Sequence, residues 1–141
     1  MEYSRYWNPA VAAVPKSGIR KFFDIVQTMP GAISLGVGEP DFVTPYHIRN
    51  AAIDSILDGE TQYTSNWGKL SLRTEIAGYL KTRYGLDYHP QTEVLVTVGA
   101  SEGIDLAMRA LLNAGDEVLV PDPGYVSYRP SVIFGGGVPV P

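Results

Sequence analysis

The sequence predicts an α/β fold organised around a mostly parallel sheet, and three observations carry that expectation. An apolar, β-branched run, EVLVTV from Glu93 to Val98, stops at Gly99-Ala100-Ser101 and turns at once into helical periodicity. A second strand-like run, DEVLVPDP, follows that helix, and after another helical stretch a third apolar run opens in GGGVPVP. Strands joined through helices pair in parallel, because the helix carries the chain back to the same end of the sheet.

Residues up to about Met29 form a mixed arm. Pro9 and Pro15 interrupt its start, and SGIRKFFDIVQTM supports a short helix from Ser17 onward. PGAISLGVGEPDFVTP is extended, since Pro40 and Pro45 forbid a continuous helix. Thr44-Pro45 has the form of an N-cap followed by proline at the first helical position. Ile48, Ala52 and Ile56 then share one face, widened by Ile53 and Leu57, and Gly59 stops the helix. After the loop GETQYTSNWG, a second helix is expected from Lys69 to Tyr84 with Leu72, Ile76, Tyr79 and Leu80 on its buried side, ended by Gly85. Glu93 to Val98 is the first expected strand. Ile104, Ala107, Met108 and Leu111 line the inner face of the following helix, which Gly115 closes. A weaker helical pattern runs from Gly124 to Phe134 before the third strand begins.

A chain of 141 residues that is 45% hydrophobic has the material for one ordinary domain. The formal net charge of -4 comes without a basic cluster, which argues against a nucleic-acid surface or a polybasic membrane patch and favours a small metabolite as ligand. The absence of cysteine excludes a disulfide framework and thiolate chemistry. No window has the length of a membrane span, and MEYSRYWNPAVAAVPKSG lacks the apolar centre of a signal peptide, so the expected location is the cytoplasm.

Two stretches carry candidate chemistry. A strand that feeds a helix through Gly99-Ala100-Ser101 leaves free N–H groups at the positive end of the helix dipole, with a hydroxyl beside them; that combination cradles a phosphate. The same residues also suit any strand-to-helix turn, and no G-x-G-x-x-G dinucleotide fingerprint is present. In PDPGYVSY, Pro121 and Pro123 fix the chain just past a strand end, which holds Tyr125 at the carboxyl edge of the sheet, where a ring can stack on a flat ligand or simply pack at the rim. His47 and His89 read as solvated surface residues without metal-ligand spacing. Glu39 and Asp41 flank a proline and read as turn residues, and Trp67 as a packing residue.

In their order and spacing, ISLGVGEPDFVTP, YTSNWGKLSLRTEIAGYL and TVGASEGIDLAMRALLNAGDEVLVPDPGYVSY resemble the N-terminal part of the class I/II aminotransferases of the pyridoxal-phosphate (PLP) fold-type I superfamily. The resemblance covers nearly the whole chain. SGIRKFF is most similar to a bacterial branch called aminotransferase A. The resemblance implies the first part of the aspartate aminotransferase-like large domain with an incomplete sheet. Residues 1–40 would be an N-terminal arm and small-domain segment, and residues 41–141 the first part of the PLP-binding large domain.

Roles follow by position in the motifs. Ala100 and Ser101 match the residues whose backbone N–H groups and hydroxyl hold the PLP phosphate. Tyr125 matches the aromatic that stacks on the pyridine ring, and Tyr63 the tyrosine that reaches the phosphate of the neighbouring subunit in a homodimer. Gly38 matches the glycine whose N–H binds the substrate carboxylate. Glu102 stands where many relatives have Gln or Lys, and like-charge repulsion leads us to expect its carboxylate to point away from a phosphate. No metal is implied, and the expected partners are an amino acid and a 2-oxo acid, with neither nucleic acid nor membrane.

By family layout the lysine that anchors PLP lies beyond Pro141, as does the sheet neighbour of the first strand. Lys16, Lys21, Lys69 and Lys81 are not candidates for that anchor, so no catalytic residue is assigned and this chain alone is expected to be inactive. Other readings stand beside the aminotransferase: a PLP-dependent C–S lyase of the same fold, and a non-catalytic truncated or aminotransferase-like binding domain.

Overall fold

The computed structural model describes residues 3–33, 38 and 40–141, apart from the side chains of Ser4, Arg20, Lys21 and Gln27. It divides into two compact units, one made of residues 1–30 and 97–141 and the other of residues 31–96.

In the first unit a 3-10 turn at Ser4–Tyr6 precedes helix α1 (Pro9–Ala13). Pro9, read from the sequence as an interruption, instead opens this helix: Asn8 is its N-cap, with a side-chain oxygen accepting from the Ala10 N–H at 2.9 Å. Helix α2 (Ile19–Gln27) falls within the expected arm helix. Helix α5 (Gly99–Leu111), strand β1 (Glu117–Leu119), helix α6 (Tyr128–Phe134) and strand β2 (Val138–Val140) complete the unit. The strands pair in parallel, Val118 opposite Pro139, with the Val120 N–H donating to the Val140 carbonyl at 2.7 Å. This is a strand–helix–strand crossover of the expected kind, and its apolar centre includes Val120 and Val132, the latter 2% exposed. The helical pattern expected from Gly124 forms only from Tyr128; residues ahead of it make a turn closed by the Tyr128 N–H on the Tyr125 carbonyl at 3.1 Å.

The second unit holds helices α3 (Tyr46–Leu57) and α4 (Leu70–Tyr84). Helix α3 starts one residue later than expected. Pro45 rather than Thr44 is its N-cap, and the Pro45 carbonyl accepts from the N–H groups of Ile48 and Arg49. The expected apolar face of α3 is not buried within the described residues: Ile48, Ile53, Ile56 and Leu57 are all exposed, Leu57 to 77%.

On α4 the buried face is also shifted. Leu72 and Tyr79 are exposed, while Ala77 and Arg73 are buried, Arg73 to 6% exposure. Burial of an arginine is tolerable only when its donors are matched. Here Nε donates to the Gly68 carbonyl at 3.1 Å, and one terminal nitrogen to Pro90 at 2.8 Å and Gln91 at 3.2 Å.

Glu93 to Val98, expected as a strand, forms no sheet ladder among the described residues. A strand is defined by its pairing, and within the second unit the Val96 N–H makes a single bond of this kind, to the Trp67 carbonyl at 3.1 Å.

Candidate functional site

The first unit places the N-terminus of α5 beside the turn that leads into α6. Gly99 has φ +76°, the left-handed region that glycine enters without steric cost. Its N–H turns back to the Thr97 carbonyl at 2.9 Å, and the Thr97 hydroxyl donates to the Gly99 carbonyl at 3.0 Å. The chain thus bends sharply into the helix. Ala100 and Ser101 follow in the first turn, where an α-helix offers no internal acceptor for the N–H groups. Among the described residues neither of these two N–H groups has an acceptor. Glu102 folds back so that its carboxylate accepts from the Val98 N–H, which ties up the acid on the helix's own backbone.

On the facing turn, a Cβ at Gly124 would overlap the Pro121 carbonyl, so the chain folds tightly here and presents Tyr125 beside α5. The Tyr125 hydroxyl lies 3.0 Å from Ser101 Oγ, and Ser127 Oγ lies 3.4 Å from the same atom. The Tyr125 ring meets Tyr128 edge-on, with centroids 5.7 Å apart and planes at 78°, and the residue remains 50% exposed. Hydrogen bonding with Ser101, and secondarily with Ser127, holds the Tyr125 phenol below the usual tyrosine range, because once the phenol has given up its proton both hydroxyls can turn and donate to the phenolate.

A groove of about 710 Å³ runs past this cluster, lined by residues 13–18 of the arm, by Ser101 and Asp105, and by residues 126, 127 and 129–131, Ile133 and Phe134. Its one acid, Asp105, is paired with Arg109 at 2.7 Å. Its cations, Lys16 and Arg129, make no ion pair among the described residues. The groove therefore carries a positive balance next to a hydroxyl and two free N–H groups, which suits an anionic ligand.

Of the five site residues read from the sequence, Ala100, Ser101 and Tyr125 come together here. Gly38 and Tyr63 lie in the second unit, both exposed, and Tyr63 shows its whole side chain to solvent. Of the lysines set aside above, Lys69 is paired with Glu60 and Lys81 with Asp87 at 2.9 Å. Sequence reasoning missed Ser127 and the cations Lys16 and Arg129. The signal for Ser127 was its place two residues after Tyr125 in the same tight turn. Glu39 lies outside the described residues. No group of three or more potential metal ligands occurs among the described residues, and no helix there is long and apolar enough to cross a membrane.

A parallel strand–helix–strand crossover, with the N-terminus of α5 and a facing aromatic beside it, is an α/β arrangement suited to an anionic ligand. Residues 30–141 match the family described as aminotransferase class I and II, and the chain belongs to that family. It is 52% identical over 135 residues to the Bacillus subtilis protein YugH, whose name carries aminotransferase and no substrate, covering 96% of this chain and 35% of that protein. It is 45% identical over 127 residues to aromatic-amino-acid aminotransferase 2 of Thermococcus litoralis, covering 90% and 33%. Among solved structures, Pyrococcus protein A1 superposes with a TM-score of 0.86 at 46% identity, over 93% of this chain and 34% of that one. The chain thus spans about a third of the length of the relatives it matches.

Proposed function

We propose that this chain supplies the N-terminal portion of a PLP-dependent amino acid aminotransferase, which moves an amino group from an amino acid to a 2-oxo acid. The observation that carries the reading is the meeting of three features at one point. These are the free N–H groups of Ala100 and Ser101, the Ser101 hydroxyl, and the half-exposed Tyr125 ring fixed 3.0 Å from that hydroxyl.

Ala100 and Ser101 would hold the phosphate and Tyr125 would lie against the pyridine ring. The cofactor, when bound, supplies the electron sink that amino-group transfer needs. The chain's own part is to fix the phosphate by a helix N-terminus, to keep the acid Glu102 engaged on the Val98 N–H, and to cover one face of the ring. Gly38 would offer its N–H to the substrate carboxylate. Tyr63 would serve a neighbouring subunit in a homodimer, and its full exposure within its own unit supports a role outside that unit. Residues 1–40 would form the arm and small-domain segment, and residues 41–141 the beginning of the large domain. The acidic balance and the absence of a long apolar helix among the described residues support a cytoplasmic location.

The test is to purify the protein at its full encoded length, add PLP, and follow the cofactor's absorbance together with amino-group transfer from a panel of amino acids to 2-oxoglutarate. Cofactor uptake with transfer from at least one donor is expected. Absence of any PLP-dependent absorbance change would overturn the reading.

A further inference from the structure

Ser127 is the N-cap residue of α6, a position at which a serine hydroxyl ordinarily accepts from the N–H groups of its own helix. It does not do so here. No side-chain capping bond forms, although the Ser127 carbonyl accepts from the Ser131 N–H at 3.1 Å. The hydroxyl is turned instead across the groove to Ser101 Oγ, 3.4 Å away, on the side of the chain that also brings the Tyr125 hydroxyl to the same atom at 3.0 Å.

A serine hydroxyl has one proton to donate and two lone pairs to accept with. If the two neighbouring hydroxyls donate to Ser101 Oγ, both lone pairs are filled, and the single Ser101 proton has to leave the cluster. If either neighbour is removed, Ser101 is free to rotate and spend its proton on the other hydroxyl. The proton is useful to an anion only in the first arrangement, since a lone pair facing a phosphate oxygen repels it. Ser127 is half-buried in the groove wall, so few water molecules compete for the arrangement.

We infer that Ser127 is a positioning residue for the anion site: together with Tyr125 it saturates the acceptor capacity of Ser101 Oγ and so directs the Ser101 proton toward the phosphate. It acts through Ser101 and need not touch the ligand. The inference rests on the cofactor-phosphate reading above, and its test separates the two.

The experiment uses cofactor-depleted full-length protein and compares its affinity for PLP with its affinity for pyridoxal, which has the same ring and aldehyde and no phosphate. The ratio of the two affinities reads the phosphate site alone, because a general loosening of the fold lowers both. Ser127→Ala should lower the PLP-to-pyridoxal ratio by about three- to tenfold, the range expected for one lost hydrogen bond. Ser127→Thr, which keeps a hydroxyl, should restore it. Ser127→Gly provides a second hydroxyl-free variant at a position where glycine is tolerated, should the alanine variant fold poorly. In a Ser101→Ala background, Ser127→Ala should have no further effect on the ratio, since the group it orients is gone.

If Ser101→Ala lowers the ratio and the Ser127 variants leave it unchanged, the positioning role is overturned and the phosphate reading stands. If Ser101→Ala itself leaves the ratio unchanged, the phosphate reading falls and the positioning role falls with it. Additive losses from Ser101→Ala and Ser127→Ala would also overturn the proposal, by showing that Ser127 acts independently of Ser101.

Discussion

Ser101 Oγ and the Tyr125 hydroxyl stand 3.0 Å apart across 24 residues of sequence, one in the first turn of α5 and the other in the turn that leads to α6. The helix end that offers N–H groups and the aromatic that faces it are therefore one construction. A change at either residue should register at the other.

Ser101→Asp should weaken PLP retention by the order of a hundredfold or more, because a carboxylate set against a phosphate at helix-terminus distance is repelled in a partly desolvated groove. Ser101→Thr keeps the hydroxyl and should retain most of the affinity. Cofactor content after dialysis of the full-length protein measures both, and equal retention in wild type and the Asp variant would show that no phosphate sits there.

Tyr125→Phe keeps the ring and should preserve most of the cofactor affinity, while Tyr125→Ala should lose it. Stacking is worth about 0.5–1.5 kcal/mol beyond the area it covers, or roughly two- to twelvefold. Fluorescence titration with PLP distinguishes the variants. Equal affinities for Phe and Ala would mark Tyr125 as a rim residue without a stacking role.

The Tyr125 phenol should titrate below the ordinary tyrosine value in the cofactor-free protein. For an acid whose folded value is depressed, the linked stabilisation is present above the unfolded value, near 10, and is lost as pH falls through the folded one. Subtracting the ultraviolet titration of Tyr125→Phe from that of wild type isolates this group, and Ser101→Ala should move its midpoint upward. A bound phosphate should move it upward too, since an anion beside the ring disfavours phenolate. A midpoint indifferent to Ser101→Ala would mean that the hydrogen bond does not persist in solution.

Gly99→Ala should destabilise the protein by about 1–2 kcal/mol, the cost of forcing a Cβ into the left-handed region, although nothing lies within 4 Å of the added carbon. The strain can be relieved only by moving the start of α5. The loss should therefore appear both in urea unfolding and in cofactor affinity, and a variant as stable as wild type would show that α5 can begin without that bend.

The long helices were legible because their signals are local. Gly85 ends α4 and apolar periodicity marks α5 within a few residues of each feature. The expected Glu93–Val98 strand carried an equally clear composition, yet strand character depends on a partner that composition does not supply. Arg73 was unreadable for a related reason: a charged residue is assigned to the surface by type, and two of its acceptors lie 17 and 18 residues away. At the site, Ser101 and Tyr125 could be named from their turns. Ser127 shares the turn of Tyr125, yet its departure from ordinary capping is visible only once α5 is seen across the groove.

Arg73 should also couple the opening of two stretches of the second unit. Its guanidinium joins the Gly68 carbonyl, just ahead of α4, to the Pro90 and Gln91 carbonyls well beyond it. Neither stretch can open alone without leaving the buried Arg73 guanidinium short of acceptors. The start of the helix and the 90–91 loop should therefore open to solvent as a single event. The amides of Thr92 and Glu93, bonded to the His89 carbonyl, would then exchange their hydrogens at the pace of α4 rather than at the pace of a surface loop.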